Sequence, residues 1–586
     1  MRFLPVLTVL SLTAAGLVVT SAPALAGDRQ PTATGYGGAV ATVDPTATAV
    51  GLEVLRRGGN AVDAAIAAAA TLGVTEPFSA GVGGGGFFVH YDARTRKVST
   101  IDGRETAPAS ATERYFIDPA DGLPYDFNEA RVSGLSTGVP GTVATWESAL
   151  NRWGTRSLAS ALRPAAEVAD RGFAVDATFR QQIADIQGAF GRFESTKALY
   201  LPGGAPPAVG TIQRNPDLAA TYRLIGRKGT GVFYRGAVAD DIVRTVQHPP
   251  LAAEPVGTWA YPIRPGVLTR SDLAGYRLRH PAPTRSDYRG LTVYGMSTPS
   301  SGGTAVGEAL NIIEAGQPTL HYYLEASALA FADRNRYVGA YTAKPVLKKL
   351  ISDDWAEQRA CTISPTTALV KPVPPGDLTG TGCATATAGA KVEEGQSTTN
   401  LTVADKWGNV VEYTFTIEAT GGNAMVVPGR GFLLNNELTD FNFAPTQGTA
   451  PDPNLPGPGK RPRSSMSPTI VLKDGKPFLA LGSPGGATII TTVLQVLVNR
   501  IDLGMTLPEA LAAPRGSQRN SAGIQAEPAF RTRYGPDLTR LGHAFAADVA
   551  ELGAATAIEF TRGGGFIAVA EPVRRGGGAA AVVSRR

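Results

Sequence analysis

Three consecutive hydroxyl side chains, Ser397, Thr398 and Thr399, head a β-patterned stretch in "GQSTTNLTVADKWGNVVEY". A threonine hydroxyl with no assisting base is a weak nucleophile. After residue 397 there is no G-x-S-x-G elbow and no metal motif to activate one. One chemical route remains: cutting the bond before the threonine makes it N-terminal, and its own amine then serves as base. By residue type alone, a Thr pair opening a strand is more often simple β-propensity. Both readings stand at this point.

Four other groups have the chemistry to accompany such a nucleophile. Gly485 and Gly486 in "GSPGGATII" precede a helical pattern, and free N–H groups at a helix start suit an oxyanion. Ser464 and Ser465 in "KRPRSSMSP" stand beside Lys460, Arg461 and Arg463, a set able to grip a carboxylate. Glu437 and Asp440 in "LLNNELTDF" lie three apart and could hold an ammonium group. Arg104 in "DGRETAP" follows a strand, where its guanidinium could take a carboxylate bidentately. Each has a plain alternative: a strand-to-helix turn, a polar loop, a capped turn, a surface ion pair. Together they describe a pocket for a zwitterion.

The elements around these groups are legible by period. Two helical segments flank Gly58-Gly59, with Asn60 as N-cap of the second, which is apolar all round and so expected to be buried. Gly81 to Gly86 formally matches G-x-G-x-x-G, but a strand follows where a dinucleotide site needs a helix. The glycines instead point to a close backbone approach. Residues 140–345 read as mostly helical, with strand, loop and helix near 290–315. Residues 362–397 read as an exposed connector. Hairpins are expected around Lys406-Trp407-Gly408-Asn409 and Asp474-Gly475, and a long helix after Gly486. Sheets with helices on both sides suggest stacked layers.

The chain has 586 residues, 43% hydrophobic and 18% charged, enough for two domains or one large multilayer domain. Its 55 basic and 50 acidic residues form no like-charge block, which argues against nucleic-acid binding. Arg2, an apolar run and the Ala24-Leu25-Ala26 site read as a signal peptide over residues 1–26, so a secreted location, extracellular or periplasmic, is expected. No later stretch is long and apolar enough for a membrane span. Cys361 and Cys383 are placed for a local disulfide. A metal site is not expected, because His90, His248, His280, His321 and His543 show no ligand spacing.

The motifs "GGNAVDAAIAAAATLGVTEPFSAGVGGGGFF", "DGRETAP", "GVPGTV", "YRGLTVYGMSTPSSGG", "TTNLTVADKWGNVV", "NNELTDF", "KRPRSSMSPTI" and "GSPGGATIITTVLQ" occur in this order. In that order they resemble the γ-glutamyltranspeptidases of the N-terminal nucleophile hydrolase superfamily, over nearly all of the chain. The resemblance implies an α+β fold, a four-layer αββα sandwich. It also implies a precursor that cuts itself between Ser397 and Thr398 into subunits 27–397 and 398–586. Thr398 would attack γ-glutamyl amides such as glutathione, and water or an amino acid or peptide acceptor would release the γ-glutamyl-enzyme. By matched position, Thr416 would orient the nucleophile and Gly485 and Gly486 would form the oxyanion hole. Arg104, Ser464 and Ser465 would hold the substrate α-carboxylate, and Glu437 and Asp440 its α-amine. Glu418 occupies a substrate-contact position. No cofactor is implied.

Three departures from the family pattern carry expectations. Asn400 stands where many members have His, and "TIEATGG" lacks an aromatic found nearby in several relatives. The loop "NFAPTQGTAPDPNLPGPG" has no Tyr or Trp to serve as a lid, so the cleft is expected to accept longer γ-glutamyl chains. The rival reading is a related acylase acting on glutaryl-type amides, which lack the α-amine. Against it, Glu437 and Asp440 would then have no cation to bind in a pocket, which is costly.

Overall fold

A computed structural model describes residues 29–383 and 397–584. The expected signal peptide with its cut after Ala26, and most of the last part of the connector, lie outside the described residues. Among the described residues no helix is long and apolar enough to cross a membrane.

Two antiparallel sheets form the centre. One has six strands in the order Ala579–Val582, Gly38–Thr42, Thr399–Asp405, Val410–Thr416, Gly85–Asp92 and Lys97–Asp102. The other has seven: Thr32–Gly35, Phe566–Ala570, Thr556–Phe560, Lys476–Gly482, Thr469–Lys473, Leu291–Gly295 and Thr284–Tyr288. Small side chains let them face each other closely: Ala39, Ala41 and Ala404 of the first meet Ile558, Ala568 and Ala570 of the second. Helices Pro45–Arg56, Ala61–Thr75 and Thr142–Trp153 cover the six-stranded sheet. Helices Gly302–Ala315, Leu320–Tyr337 and Thr488–Ile501 cover the other. This is the expected αββα sandwich. Strands from before and after residue 397 interleave in both sheets, so one core is shared by the two halves of the chain.

Period and placement agree in the strand Thr399–Asp405. Leu401 and Val403 point into the helix-covered core, while the alternate Ala404 packs on the second sheet. Asn400 and Thr402 share that inner side, where Asn400 Nδ2 donates to Glu412 at 2.6 Å and to Thr556 at 2.8 Å. Burial pushes the Glu412 carboxyl well above its ordinary pKa. The Asn400 departure thus lies in a buried polar network between the sheets, in which Glu412 Oε2 has no partner among the described residues.

The helix Ala61–Thr75 is buried along its whole length and starts on a capping box: Asn60 accepts from Asp63 N at 3.0 Å, and Asp63 from Asn60 N at 3.0 Å. Asp405 both closes the first hairpin, accepting from Trp407 N and Asn409 N, and accepts from Ala61 N at 3.0 Å. The second hairpin turns at Asp474 and Gly475, both at positive φ, as a two-residue primed turn requires. The strand Thr284–Tyr288 went unread, because its polar text "TRSDY" alternates buried and exposed at a sheet edge. Cys361 and Cys383 are disulfide-bonded, with Cα atoms 6.0 Å apart.

The glycine run has its explanation in backbone contacts. A Cβ on Gly83 would fall 2.0 Å from the Leu433 carbonyl oxygen, and one on Gly84 would fall 1.9 Å from that of Thr416. The strand Gly85–Asp92 follows, paired with Val410–Thr416. Gly84→Ala is therefore expected to cost on the order of 1–3 kcal/mol, the usual range for overpacking. Thermal unfolding measures it; an unchanged midpoint would show that the close approach is dispensable.

Candidate active site

Hairpin register places the first two hydroxyls. Thr399 pairs with Phe415, so Thr398 and Thr416 sit side by side at the open end. Thr398 is 3% exposed. Its Oγ1 lies 2.5 Å from the carbonyl oxygen of Ser397 and 3.5 Å from Thr416 Oγ1. Thr416 donates to the same Ser397 carbonyl at 3.0 Å and accepts from Glu418 N at 2.7 Å. The Thr398 hydroxyl is thus held against the carbonyl that precedes it. Glu418 is at φ 79, a left-handed backbone uncommon for a side chain of this kind.

Of the ten candidate residues, all except Gly485 line one small cavity. Gly485 lines the adjoining one, which also touches Ser397. Gly485 and Gly486 have φ 134 and 56 and lead into helix Thr488–Ile501. Among the described residues neither glycine N–H has an acceptor, so both remain available to an oxyanion.

Arg104 follows strand Lys97–Asp102 and is 1% exposed. Its two terminal nitrogens donate to Glu437 Oε1 and Asp440 Oδ2. The "NNELTD" segment is pinned for this. Asn435 donates to Gly83 O and Gly138 O and accepts from Glu437 N at 3.0 Å. Asn436 donates to Glu418 Oε2 and accepts from Ala419 N at 3.0 Å. The carboxylate-binding and amine-binding candidates are therefore partners of one another before any ligand arrives.

Burial works against the Arg104 charge, but Glu437, Asp440 and Glu105 together hold its guanidinium above its usual pKa. Burial pushes Glu437 and Glu418 well above the ordinary carboxyl range; Arg104 opposes this at Glu437, while Asp440 and Glu437 add to it at Glu418. Glu105, beside Glu437, is pushed by burial up to about 8. Glu105, Glu418, Glu437 and Asp440 thus crowd around Arg104, with Arg131 near Glu418. This end of the cavity has more carboxyl groups than nearby guanidinium groups. A cation entering it would let the crowded acids ionise.

Hydroxyls follow directly, because Arg104 donates to the carbonyl of Arg463, the residue before Ser464. Ser464 O accepts from Ser301 N and Oγ at 2.8 and 2.7 Å. Ser465 Oγ accepts from Arg334 Nη2 at 2.8 Å. Arg334, buried on helix Leu320–Tyr337, went unread because nothing local ties a helical arginine to a loop 131 residues away. The cations of "KRPRSS" do not enter the cavity. Arg461 pairs with Asp102 at 2.6 Å, Lys460 donates to Leu455 O, and the backbone carbonyls of Pro462 and Arg463 accept from Arg104. It is the carbonyls of this loop that buttress Arg104, while the Lys460 and Arg461 side chains pair elsewhere.

Arg575 also went unread. Its Nη1 donates to Thr398 O and its Nη2 to Ser79 Oγ, both at 2.6 Å. Away from the cavity the fold joins two of the scattered histidines: ligand atoms of His321, Glu325 and His543 lie within 4.8 Å of one another. Lys371 donates to Glu325 at 2.6 Å, so an ammonium already neutralises that carboxylate. The loop Asn442–Gly459 contributes no residue to the cavity lining; Asp452 ties it down, and Asn454 donates to Asp440 O at 2.7 Å.

The chain is similar to known proteins along most of its length. The γ-glutamyltranspeptidase family model matches residues 47–582. A glutathione hydrolase proenzyme of Bacillus subtilis strain 168 is 37% identical over 558 residues, 92% of this chain and 91% of that protein. One from Escherichia coli strain K12 is 36% identical over 538 residues, 88% and 84%. The crystal structure of a cephalosporin acylase from Bacillus halodurans superposes with TM-score 0.79 at 27% identity, covering 98% of this chain and all of that one. With the family model spanning most of its length and these relatives along nearly all of it, the chain belongs to the γ-glutamyltranspeptidase family of enzymes.

Proposed function

We propose that the chain is an exported precursor that cleaves its own Ser397–Thr398 bond into subunits 27–397 and 398–586, which stay together as a heterodimer around the shared core. Thr398 then removes the γ-glutamyl group from glutathione and related amides and passes it to water, an amino acid or a peptide. The observation that carries this reading is the Thr398 hydroxyl, 2.5 Å from the Ser397 carbonyl oxygen at the mouth of the cavity that holds the other groups.

In this mechanism the freed Thr398 amine takes the proton as Thr398 Oγ1 attacks the γ-carbonyl. Gly485 and Gly486 N–H groups receive the developing oxyanion. Thr416 keeps the nucleophile in place, 3.5 Å away. The donor's α-carboxylate is held by Arg104, Ser464 and Ser465, and its α-ammonium by Glu437 and Asp440, with Glu418 beside them. Donor binding inserts a zwitterion into an existing ion cluster, so each charge meets an opposite one and none is left buried alone. The acyl-enzyme is then released by water or by an acceptor amine. With no Tyr or Trp in the loop Asn442–Gly459, longer γ-glutamyl chains fit this reading.

The second reading, an acylase for glutaryl-type amides, has support in the superposition on a cephalosporin acylase. The crowded carboxyl groups around Arg104 favour the amine-bearing donor, because a glutaryl group brings no cation to them.

Thr398→Ala is expected to leave one full-length band on a denaturing gel and no turnover of a γ-glutamyl anilide. Two bands or retained turnover would remove Thr398 from its role. Asp440→Asn is expected to raise KM for a γ-glutamyl anilide on the order of 10–100-fold, the cost of losing a charge-assisted contact, with glutaryl anilide turnover little changed. Equal effects on both anilides would favour the acylase reading. Glu105 titrates near 8, and its carboxylate form, dominant above that pH, attracts the donor ammonium. KM should therefore fall as pH rises through about 8, and Glu105→Gln should flatten that limb. A wild-type KM profile in Glu105→Gln would contradict it.

A further inference from the structure

Arg575, 177 residues further on, reaches the carbonyl of the residue that follows the scissile bond. It lies in the turn Arg574–Gly576 at φ 54, followed by Gly576 and Gly577 at φ 72 and 83. A left-handed arginine is a strained choice that the surroundings must enforce. They do so: Arg574 is pinned by Glu527 and by Glu571 at 2.7 Å, and Arg575 N donates to Glu551 at 2.8 Å. The Arg575 side chain, 17% exposed, is thereby turned inward.

There it touches one side of the bond directly and the other through Ser79. Nη1 donates to the Thr398 carbonyl, and Nη2 to Ser79 Oγ, each at 2.6 Å. Ser79 Oγ in turn accepts from Ser397 Oγ at 3.2 Å, which also contacts Phe78 O at 3.4 Å. Glu76, at the end of helix Ala61–Thr75, pairs with Arg575 Nη2 at 3.3 Å. Ser79 is itself fixed, since its carbonyl accepts from Ile417 N and its N–H donates to Glu76 O.

We propose that Arg575 is a positioning residue for self-cleavage: it clamps the Thr398 carbonyl directly and the Ser397 side chain through Ser79, holding the peptide between them against the Thr398 hydroxyl. This rests on the reading that the precursor cleaves itself. The step held in place is an acyl shift. The Thr398 hydroxyl oxygen bonds to the Ser397 carbonyl carbon, the C–N bond breaks, and the hydroxyl proton passes to the Thr398 nitrogen. Water then hydrolyses the ester, leaving a Ser397 carboxylate, a free Thr398 amine and a restored hydroxyl. Intramolecular attack of this kind depends steeply on the placement of the two atoms. A clamp that fixes the residues on both sides acts on that placement without taking a proton.

Glu76 gives the clamp a pH signature. Burial pushes its carboxyl up to about 7 against the pull of Arg575; Asp44, Asp176 and Arg29 also face it. Its ion pair with Arg575 is present above that pH and lost below it.

The test follows conversion of freshly translated full-length chain to two bands over time. Arg575→Met is expected to slow conversion on the order of 10–100-fold, Arg575→Lys to recover part of the rate, and Ser79→Ala to slow it less. Wild-type conversion should slow as pH falls through 7, and Glu76→Gln should remove that dependence. Melting temperatures are compared with uncleaved Thr398→Ala. If wild type converts and Arg575→Met converts equally fast, the clamp is wrong while self-cleavage stands. If wild type gives only the full-length band, the underlying reading fails first. A slowed Arg575→Met with a lowered melting temperature, together with Ser79→Ala converting at the wild-type rate, also overturns the clamp.

Discussion

Arg104 is held at 1% exposure between Glu437 and Asp440, and much of the site is arranged around that grip. Removing three ionic groups from water is expensive unless each finds partners of good geometry. Here the Pro462 and Arg463 carbonyls take two more of the guanidinium hydrogens, and Asn435 receives the Glu437 backbone N–H. The cluster joins a segment after strand Lys97–Asp102 to a 3-10 turn over 330 residues further on. It fixes one wall of the cavity in charge as well as in shape, with burial pushing Glu105, Glu418 and Glu437 up around it.

The nucleophile depends on a different constraint, the register of one hairpin. Slipping Thr399–Asp405 by a single residue would turn Leu401 and Val403 away from the helix-covered core and Asn400 into it. That register leaves Thr398 and Thr416 at the open end and lets Gly84 sit against the Thr416 carbonyl. The glycine run, the hairpin and the hydroxyl pair are one packing solution. None of the three can shift without the others.

The local devices are legible in the sequence because each is written in neighbouring residues. The Asn60 cap, the Asp474-Gly475 turn and the buried alanine-rich helix follow from short-range rules of propensity, capping and period. The edge strand Thr284–Tyr288 is not legible, because its polar text satisfies only one face, and the cations Lys460 and Arg461 turn to a backbone carbonyl and to Asp102. Charge beside a serine pair in sequence says nothing about direction. The side chains of neighbouring residues in an extended loop point to opposite sides.

By itself the sequence determined the inventory and its order: a strand-leading Thr398, a glycine pair ahead of a helix, paired acids, an arginine after a strand, and motifs whose succession resembles one family. Only the tertiary structure decided the company those residues keep. It set Arg104 on the two acids, brought Arg334 to Ser465, and carried Arg575 across 177 residues to the Thr398 carbonyl. The reason is physical. Local patterns are fixed by the covalent neighbourhood, whereas burying a charge is a choice among every partner the folded chain can bring within reach.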